Sequence, residues 1–314
     1  LKKAAAKGYE VESIGVDTWG VDFGLIDRDG QLIGNPVCYR DARTAGMTGK
    51  LFETLSPTEH YATTGIQVME INTLAQLLSI KGTAQLESAE HLLFMPDLFS
   101  YFLTGKANNE YCIASTSELL DAKGREWSWE TIEALGLPKK IFGEILMPGS
   151  VRGSLRDDIA EETGLGKIKV IAVGSHDTAS AVAAVPAIEG DCAMAFLSSG
   201  TWSLLGFELP EPILTEEARK AAEQRAEELS TKLAETEREL RKVTRERDAL
   251  KAENEQLRAI VDLNDPGKTK ALFGSSFHIH LANINTKSLC NILSTPTPHW
   301  NINHCWILVI LLMR

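Results

Sequence analysis

The sequence predicts an α/β enzyme over residues 1 to about 214, followed by one long helix of coiled-coil type. Three observations predict it. Up to Leu214, β-like apolar runs, Gly/Asp turns and amphipathic stretches alternate, as they do where helices cover a sheet. Beyond it, no Gly or Pro occurs between Pro212 and Pro266, and about half of residues 215 to 262 are charged, with both signs interleaved. Within that stretch, Ala226, Leu229, Leu233, Thr236, Leu240, Val243, Arg247, Leu250, Asn254, Leu257 and Val261 alternate spacings of three and four, which is a heptad seam.

The elements follow in chain order. Val11 to Asp17 reads as a strand, and Val21 to Ile26 with Gln31 to Ile33 as a hairpin around Asp27-Arg28-Asp29-Gly30, whose residue types tolerate turn dihedrals. Helices are expected at Ala45 to Leu55, Asn72 to Ile80, Pro96 to Leu103 and Trp127 to Leu135, with apolar residues three and four apart. A second sheet unit opens at Lys167. There Ile168 to Val173 forms a buried-strand run, the turn Gly174-Ser175-His176-Asp177-Thr178 follows, and an Ala-rich helix runs from Ala179 to Val185. Ala193 to Ser198 and Trp202 to Glu208 then form a hairpin about Ser199-Gly200-Thr201. The expected domains are 1–166, 167–214, the coiled coil 215–262 and an irregular tail 263–314. With Ala226 at heptad position a, Asn254 also falls at a, and a single buried Asn there favours a parallel two-stranded coil. A homodimer through residues 222–261 is therefore expected.

Bulk properties narrow the function. The 314 residues are 44% hydrophobic, enough for a real core. A net charge of −11 and a pI near 5.2 argue against a nucleic-acid or anionic-membrane partner, either of which needs a basic face. Cys38, Cys112, Cys192, Cys290 and Cys305 are odd in number and contain no CxxC pair, so neither a disulfide framework nor a zinc site is indicated. His278, His280, Cys290, His299, His304 and Cys305 in the tail match no compact ligand spacing. No signal peptide precedes the first strand, and the longest apolar run, Trp306 to Met313, is far short of the roughly 20 residues of a membrane helix. The expectation is a cytoplasmic protein, and small neutral substrates remain open.

A lone carboxylate at a strand-to-helix turn, such as Asp177, can simply cap the helix. Two neighbouring features open a second reading. His176, Asp177 and Thr178 crowd three hydrogen-bonding side chains after a buried strand, and Ser198-Ser199-Gly200-Thr201 offers backbone N–H groups and hydroxyls suited to phosphate oxygens. Phosphoryl transfer needs that division: a positioned hydroxyl with a proton acceptor beside it, and a cradle for the transferring group.

Five strings occur in order: Ile14-Gly15-Val16-Asp17-Thr18-Trp19-Gly20-Val21-Asp22-Phe23-Gly24, Tyr39-Arg40-Asp41-Ala42-Arg43-Thr44, Met95-Pro96-Asp97 with Leu103-Thr104-Gly105, Gly174-Ser175-His176-Asp177-Thr178-Ala179-Ser180-Ala181-Val182, and Ser198-Ser199-Gly200-Thr201-Trp202-Ser203. Over about two thirds of the chain they resemble the FGGY carbohydrate kinase family. The resemblance implies two actin-like, ribonuclease-H-like domains closing on sugar and ATP. By the same resemblance Asp177 matches the proton acceptor, Gly20, His176 and Thr178 match sugar contacts, and Thr201 matches an ATP-phosphate contact, with Mg²⁺ offsetting phosphate charge. Asp17, Trp19, Arg40, Asp41 and Arg43 either touch ligand or brace the fold. The strings resemble most the members that phosphorylate the ketose L-rhamnulose to its 1-phosphate. Kinases of xylulose, glycerol or a signalling sugar, and a non-enzymatic coiled-coil dimerisation protein carrying a kinase remnant, are the other readings. The family's Asp-Leu-Gly turn and its Asn-Glu-Gly-Gly sugar contact do not occur in this sequence. The expectation is an incomplete kinase whose activity is absent or low.

Overall fold

The computed structural model describes residues 1–185, 195–199, 203–207, 209, 211–260 and 308–313. Thr201, and the tail histidines and cysteines named above, lie outside the described residues. The chain forms two compact units, Leu1–Ala222 with Trp306–Arg314, and Glu223–Cys305.

In the first unit β1 (Val11–Asp17) is the central strand of a four-stranded sheet. It runs parallel to Lys169–Ile171 on one side, with Ser13, Ile14 and Gly15 opposite Lys169, Val170 and Ile171. Val151–Ser154 continues the sheet antiparallel to that strand. On its other edge β1 pairs antiparallel with Leu308–Met313. That strand corrects the expectation of an irregular tail at this point: six consecutive apolar residues, too few to cross a membrane, form a sheet strand instead. Ile14, Val16, Leu155, Ala160 and Val170 bury the face of this sheet, with Phe99 and Leu103 of the Met95–Thr104 helix packed on them.

The strand β2 (Phe23–Asp27) pairs antiparallel with β3 (Ala89–Phe94). The expected hairpin is only partly formed. Asp27 closes the turn as foreseen, its Oδ1 accepting from the N–H of Asp29 and Gln31, with Gly30 at φ +77°. The returning limb pairs with one edge of β2 over a short stretch, through the Ile26–Leu32 bridge, the Asp27 N–H donating to the Gln31 carbonyl at 2.9 Å and the Ile33 N–H to the Leu25 carbonyl at 2.8 Å, while β3 takes the opposite edge. The largest core is built here, from Phe23, Leu25, Leu74, Leu77, Leu92, Phe94, Ile113 and Trp127 among others. Each such side chain, fully buried, contributes about 1.5–3 kcal/mol.

The helices sit close to their expected places. Met47–Phe52, Thr73–Ser79 and Trp129–Ala134 are shorter than expected, and Asp177–Ala183 starts earlier. Met95–Thr104 begins with Pro96 in its first turn and ends on Gly105 at φ +71°, the Pro-in, Gly-out asymmetry of a well-terminated helix. Asn72 stands at an N-cap position but caps nothing with its side chain; its Nδ2 donates instead to the buried Glu118 carboxylate at 2.7 Å. Helices at Pro57–Thr64 and Asp157–Thr163 were not foreseen. Ala195–Ser199 pairs antiparallel with Ser203–Phe207, the hairpin the sequence predicts. A continuous helix, Glu216–Ile260, covers the heptad segment.

Candidate functional site

The parallel pairing of β1 with Lys169–Ile171 brings two chain exits to the same end of the sheet. Past the strands they are stitched once more, Thr18 bridging His176. The Thr18 N–H donates to the Ser175 carbonyl at 3.0 Å, and the Asp177 N–H donates to the Thr18 carbonyl at 2.8 Å. Gly15 permits this approach, since a Cβ there would lie 2.5 Å from Val173 Cγ1.

The turn sets Asp177 at the first position of its helix with its side chain 58% exposed. Its Oδ1 accepts from the Thr178 N–H at 2.6 Å and lies 3.4 Å from His176 Nε2. The His176 side chain is 24% exposed. Burial holds its imidazole below the usual value, while the carboxylates of Asp177, Glu110 and Asp17 pull the other way. Gly20 closes the group from the β1 side: an added Cβ would stand 3.3 Å from His176 Nε2 and 3.3 Å from Thr116 Oγ1. Gly20, His176, Asp177 and Thr178 are thus gathered at one turn.

Asp17, the last residue of β1, is buried, and its Oδ1 has no hydrogen-bond partner. Burial pushes its carboxyl up, and the charge of Asp177 adds to that, against the Ser180 hydroxyl and His176. An orphaned acceptor beside His176 and Asp177 fits a hydroxyl entering the turn. Trp19 turns away and donates from Nε1 to Asp22 Oδ2 at 2.8 Å. Arg40 lies over the Tyr39 ring, Asp41 accepts from the Arg43 N–H, and Arg43 donates to Gln76 Oε1 at 3.1 Å. Of these contacts, those of Arg40 and Asp41 stay within the segment that follows β2, and that of Arg43 reaches the Thr73–Ser79 helix.

Several residues that shape the site carried no signal in the sequence. Val21 is β-branched yet sits at φ +65°, a costly conformation that its surroundings must enforce. Its carbonyl accepts from Thr73 Oγ1 and Gln76 Nε2, and its N–H donates to Thr116 Oγ1. Thr116 comes from a different element altogether, and nothing local marks it. Among the described residues, no cluster of three or more His, Cys, Asp or Glu side chains could hold a metal ion. No helix there is long and apolar enough to cross a membrane.

The profile of the FGGY family of carbohydrate kinases, N-terminal domain, matches residues 1–184. The chain belongs to that family. The matched FGGY residues include the whole turn at 174–178 and all of β1. The chain is 48% identical over 219 residues to a rhamnulokinase of Bacteroides thetaiotaomicron, covering 69% of this chain and 45% of that protein. It is 41% identical over 220 residues to a rhamnulokinase of Oceanobacillus iheyensis, covering 69% and 46%. The chain thus spans about half the length of the curated relatives it matches. Among solved structures, a carbohydrate kinase from Novosphingobium aromaticivorans superposes with a TM-score of 0.58 at 25% identity, over 68% of this chain and 46% of that one. The actin-like α/β fold expected from the resemblance is that of these FGGY neighbours.

Proposed function

We propose that the turn at His176-Asp177-Thr178, with Gly20, is the sugar side of an ATP-dependent ketose kinase whose substrate is L-rhamnulose. One observation carries the reading: the β1 exit and the 175–178 turn are hydrogen-bonded to each other so that Gly20, His176 and the open Asp177 carboxylate face one space. Two relatives at 41% and 48% identity are rhamnulokinases, which supports the choice of sugar.

The residues divide the work. The Asp177 carboxylate takes the proton from the sugar hydroxyl as that oxygen forms its bond to phosphorus. His176, kept largely neutral by burial, holds a sugar oxygen by hydrogen bonding rather than by charge. Gly20 leaves the room in which the sugar lies against His176. ATP, with Mg²⁺ as its divalent partner, supplies the phosphoryl group when bound, and Thr201 is the residue we assign to its phosphates.

In the same reading the protein is cytoplasmic, residues 167–214 open the second kinase domain, and a second copy docks along 222–261. Leu240, Val243 and Leu250 of the heptad seam are 64%, 59% and 65% exposed, as a seam without its partner helix would be.

Calorimetric titration of the purified chain with L-rhamnulose, D-xylulose and glycerol, alongside ADP release, tests the assignment. L-Rhamnulose should bind most tightly, His176→Ala should weaken it about tenfold, equivalent to about 1.4 kcal/mol, and Asp177→Asn should preserve binding. ADP release, expected to be low in this chain, should drop to the no-sugar background in Asp177→Asn. Binding of none of the three, or sugar-dependent ADP release that persists at the wild-type level in Asp177→Asn, would overturn the reading.

A further inference from the structure

Beneath the turn lies a fully buried polar network that the proposed chemistry does not use. Glu110, in the short strand Asn109–Glu110, is completely buried. Its Oε1 accepts from the Cys112 N–H at 2.7 Å, and its Oε2 from the Ile113 N–H at 3.1 Å and the Ser175 N–H at 3.0 Å. Arg152, also buried, donates from Nη2 to Asp97 Oδ1 at 2.5 Å and to Ser175 Oγ at 3.3 Å. Its Nη1 donates to Asn108 Oδ1 at 2.8 Å. Asp97 Oδ1 in turn accepts from the Glu110 N–H at 3.2 Å, closing the circuit.

Four stretches of chain far apart in sequence, at 97, 108–110, 152 and 175, therefore meet at Ser175. Every polar group of that residue is engaged. Its N–H is held by Glu110, its hydroxyl by Arg152, and its carbonyl by the Thr18 N–H. Ser175 itself is wholly buried and cannot reach a substrate. Its neighbour in the chain is His176, and the next residue is Asp177. A buried Arg–carboxyl contact gives little net stability compared with apolar packing of the same volume. What these buried polar groups can supply is fixed geometry, and here the geometry they fix is that of one peptide next to the candidate proton acceptor. A displacement of about 1 Å at a reacting group can cost about 10²-fold in rate.

We propose that Glu110, Arg152 and Asp97 are positioning residues that lock Ser175 and thereby set where His176 and Asp177 stand against β1. This rests on the sugar site proposed above for its consequence, though not for its test.

The test uses the full chain carrying Arg152→Lys, which keeps the charge but loses the two-armed fork, Glu110→Gln, which keeps volume but loses the charge, and Ser175→Ala, which removes only the hydroxyl. Amide hydrogen exchange is read at Thr18, Ser175 and Asp177, with Ile14 and Val170 in the sheet as controls. The His176 imidazole is titrated by NMR, its facing charged groups being Asp17, Glu110 and Asp177. A purely structural role predicts faster exchange at all five amides together. Positioning predicts a rise of about tenfold or more confined to Thr18, Ser175 and Asp177, and in Arg152→Lys an upward drift of the His176 pKa toward its ordinary value as the turn loosens. Should Arg152→Lys fail to fold, Ser175→Ala and Glu110→Gln decide by the exchange pattern. Exchange at the three amides unchanged, or raised equally with the controls, overturns the proposal. L-Rhamnulose affinity is measured on the same samples: a wild-type chain that binds no ketose sinks the proposed function, while the exchange pattern still decides this one.

Discussion

Gly15 and Gly20 stand five residues apart around the end of β1, and each is small for a different reason. At Gly15, held opposite Ile171 in the parallel ladder, a methyl group would meet Val173 Cγ1 at 2.5 Å, the stiff β-branched side chain two residues past the paired strand. At Gly20 the nearest atoms are side-chain atoms of His176 and Thr116 at 3.3 Å, which can give by a few tenths of an ångström. Gly15→Ala should therefore cost about 1–3 kcal/mol of stability through overpacking, seen as a lower urea midpoint. Gly20→Ala should leave the midpoint nearly unchanged and weaken L-rhamnulose binding, because it pushes on His176. The opposite assignment of losses would refute this reading of the two positions. Gly20 was legible in the sequence only through the motif around it; Thr116 and Thr73, which clamp Val21 next door, were not, since they reach the turn by tertiary contact from other elements.

Elements were legible where local chemistry and tertiary pairing agree. Met95–Thr104 shows this, with Pro96 at its start, Gly105 past its end and an apolar face between them. The strand β3 shows the reverse. Its residues Ala89 to Phe94 carry Glu90 and His91 ahead of the apolar Leu92-Leu93-Phe94, too short a run for periodicity to distinguish a strand from a buried helical turn. The Asp27–Gly30 turn signal correctly marks the partner on one edge of β2, but nothing local marks β3 on the other, where packing against the core around Phe94 and Trp127 makes the choice. The Glu216–Ile260 helix sits between these cases. Its existence follows from charge density and the absence of Gly and Pro, whereas its partner rests on the seam alone. If a second copy covers that seam, Leu250→Pro should abolish dimerisation in analytical ultracentrifugation by breaking the helix in mid-seam, and Asn254→Ala should loosen the choice of oligomer by removing the polar register at a. Sedimentation unchanged in both variants would exclude this dimer.

At the scale of the molecule, the buried carboxyls give stability an unusual pH dependence. Burial raises Asp97 to about 7, against the pull of Arg152, and also pushes up Asp17, Asp22 and Glu118. Asp97 Oδ2 is buried without a hydrogen-bond partner, as a carboxyl carrying a proton tolerates better than a carboxylate, whereas at Glu118 the buried His60 imidazole, 3.9 Å from Oε2, opposes the effect of burial. A carboxyl whose pKa is higher in the fold than in the unfolded chain contributes fully below the unfolded value, near 4, and that contribution is lost as the pH rises through the folded value. For Asp97 the window runs from about 4 to about 7. His176, lowered by burial, has the opposite sign: its contribution is complete above 6.5 and shrinks as the pH falls toward its folded value. One partly exposed imidazole stands against four buried carboxyls, and the net charge of −11 adds self-repulsion as the pH rises. The urea midpoint followed by tryptophan fluorescence, with Trp127 in the core as reporter, should therefore be higher at pH 5 than at pH 7.5. Asp97→Asn, which fixes the neutral form, should flatten most of that slope. A midpoint that is equal or higher at pH 7.5 would show that Arg152 keeps Asp97 ionised across the range, and the pair would then be a conventional ion pair that weakens in acid.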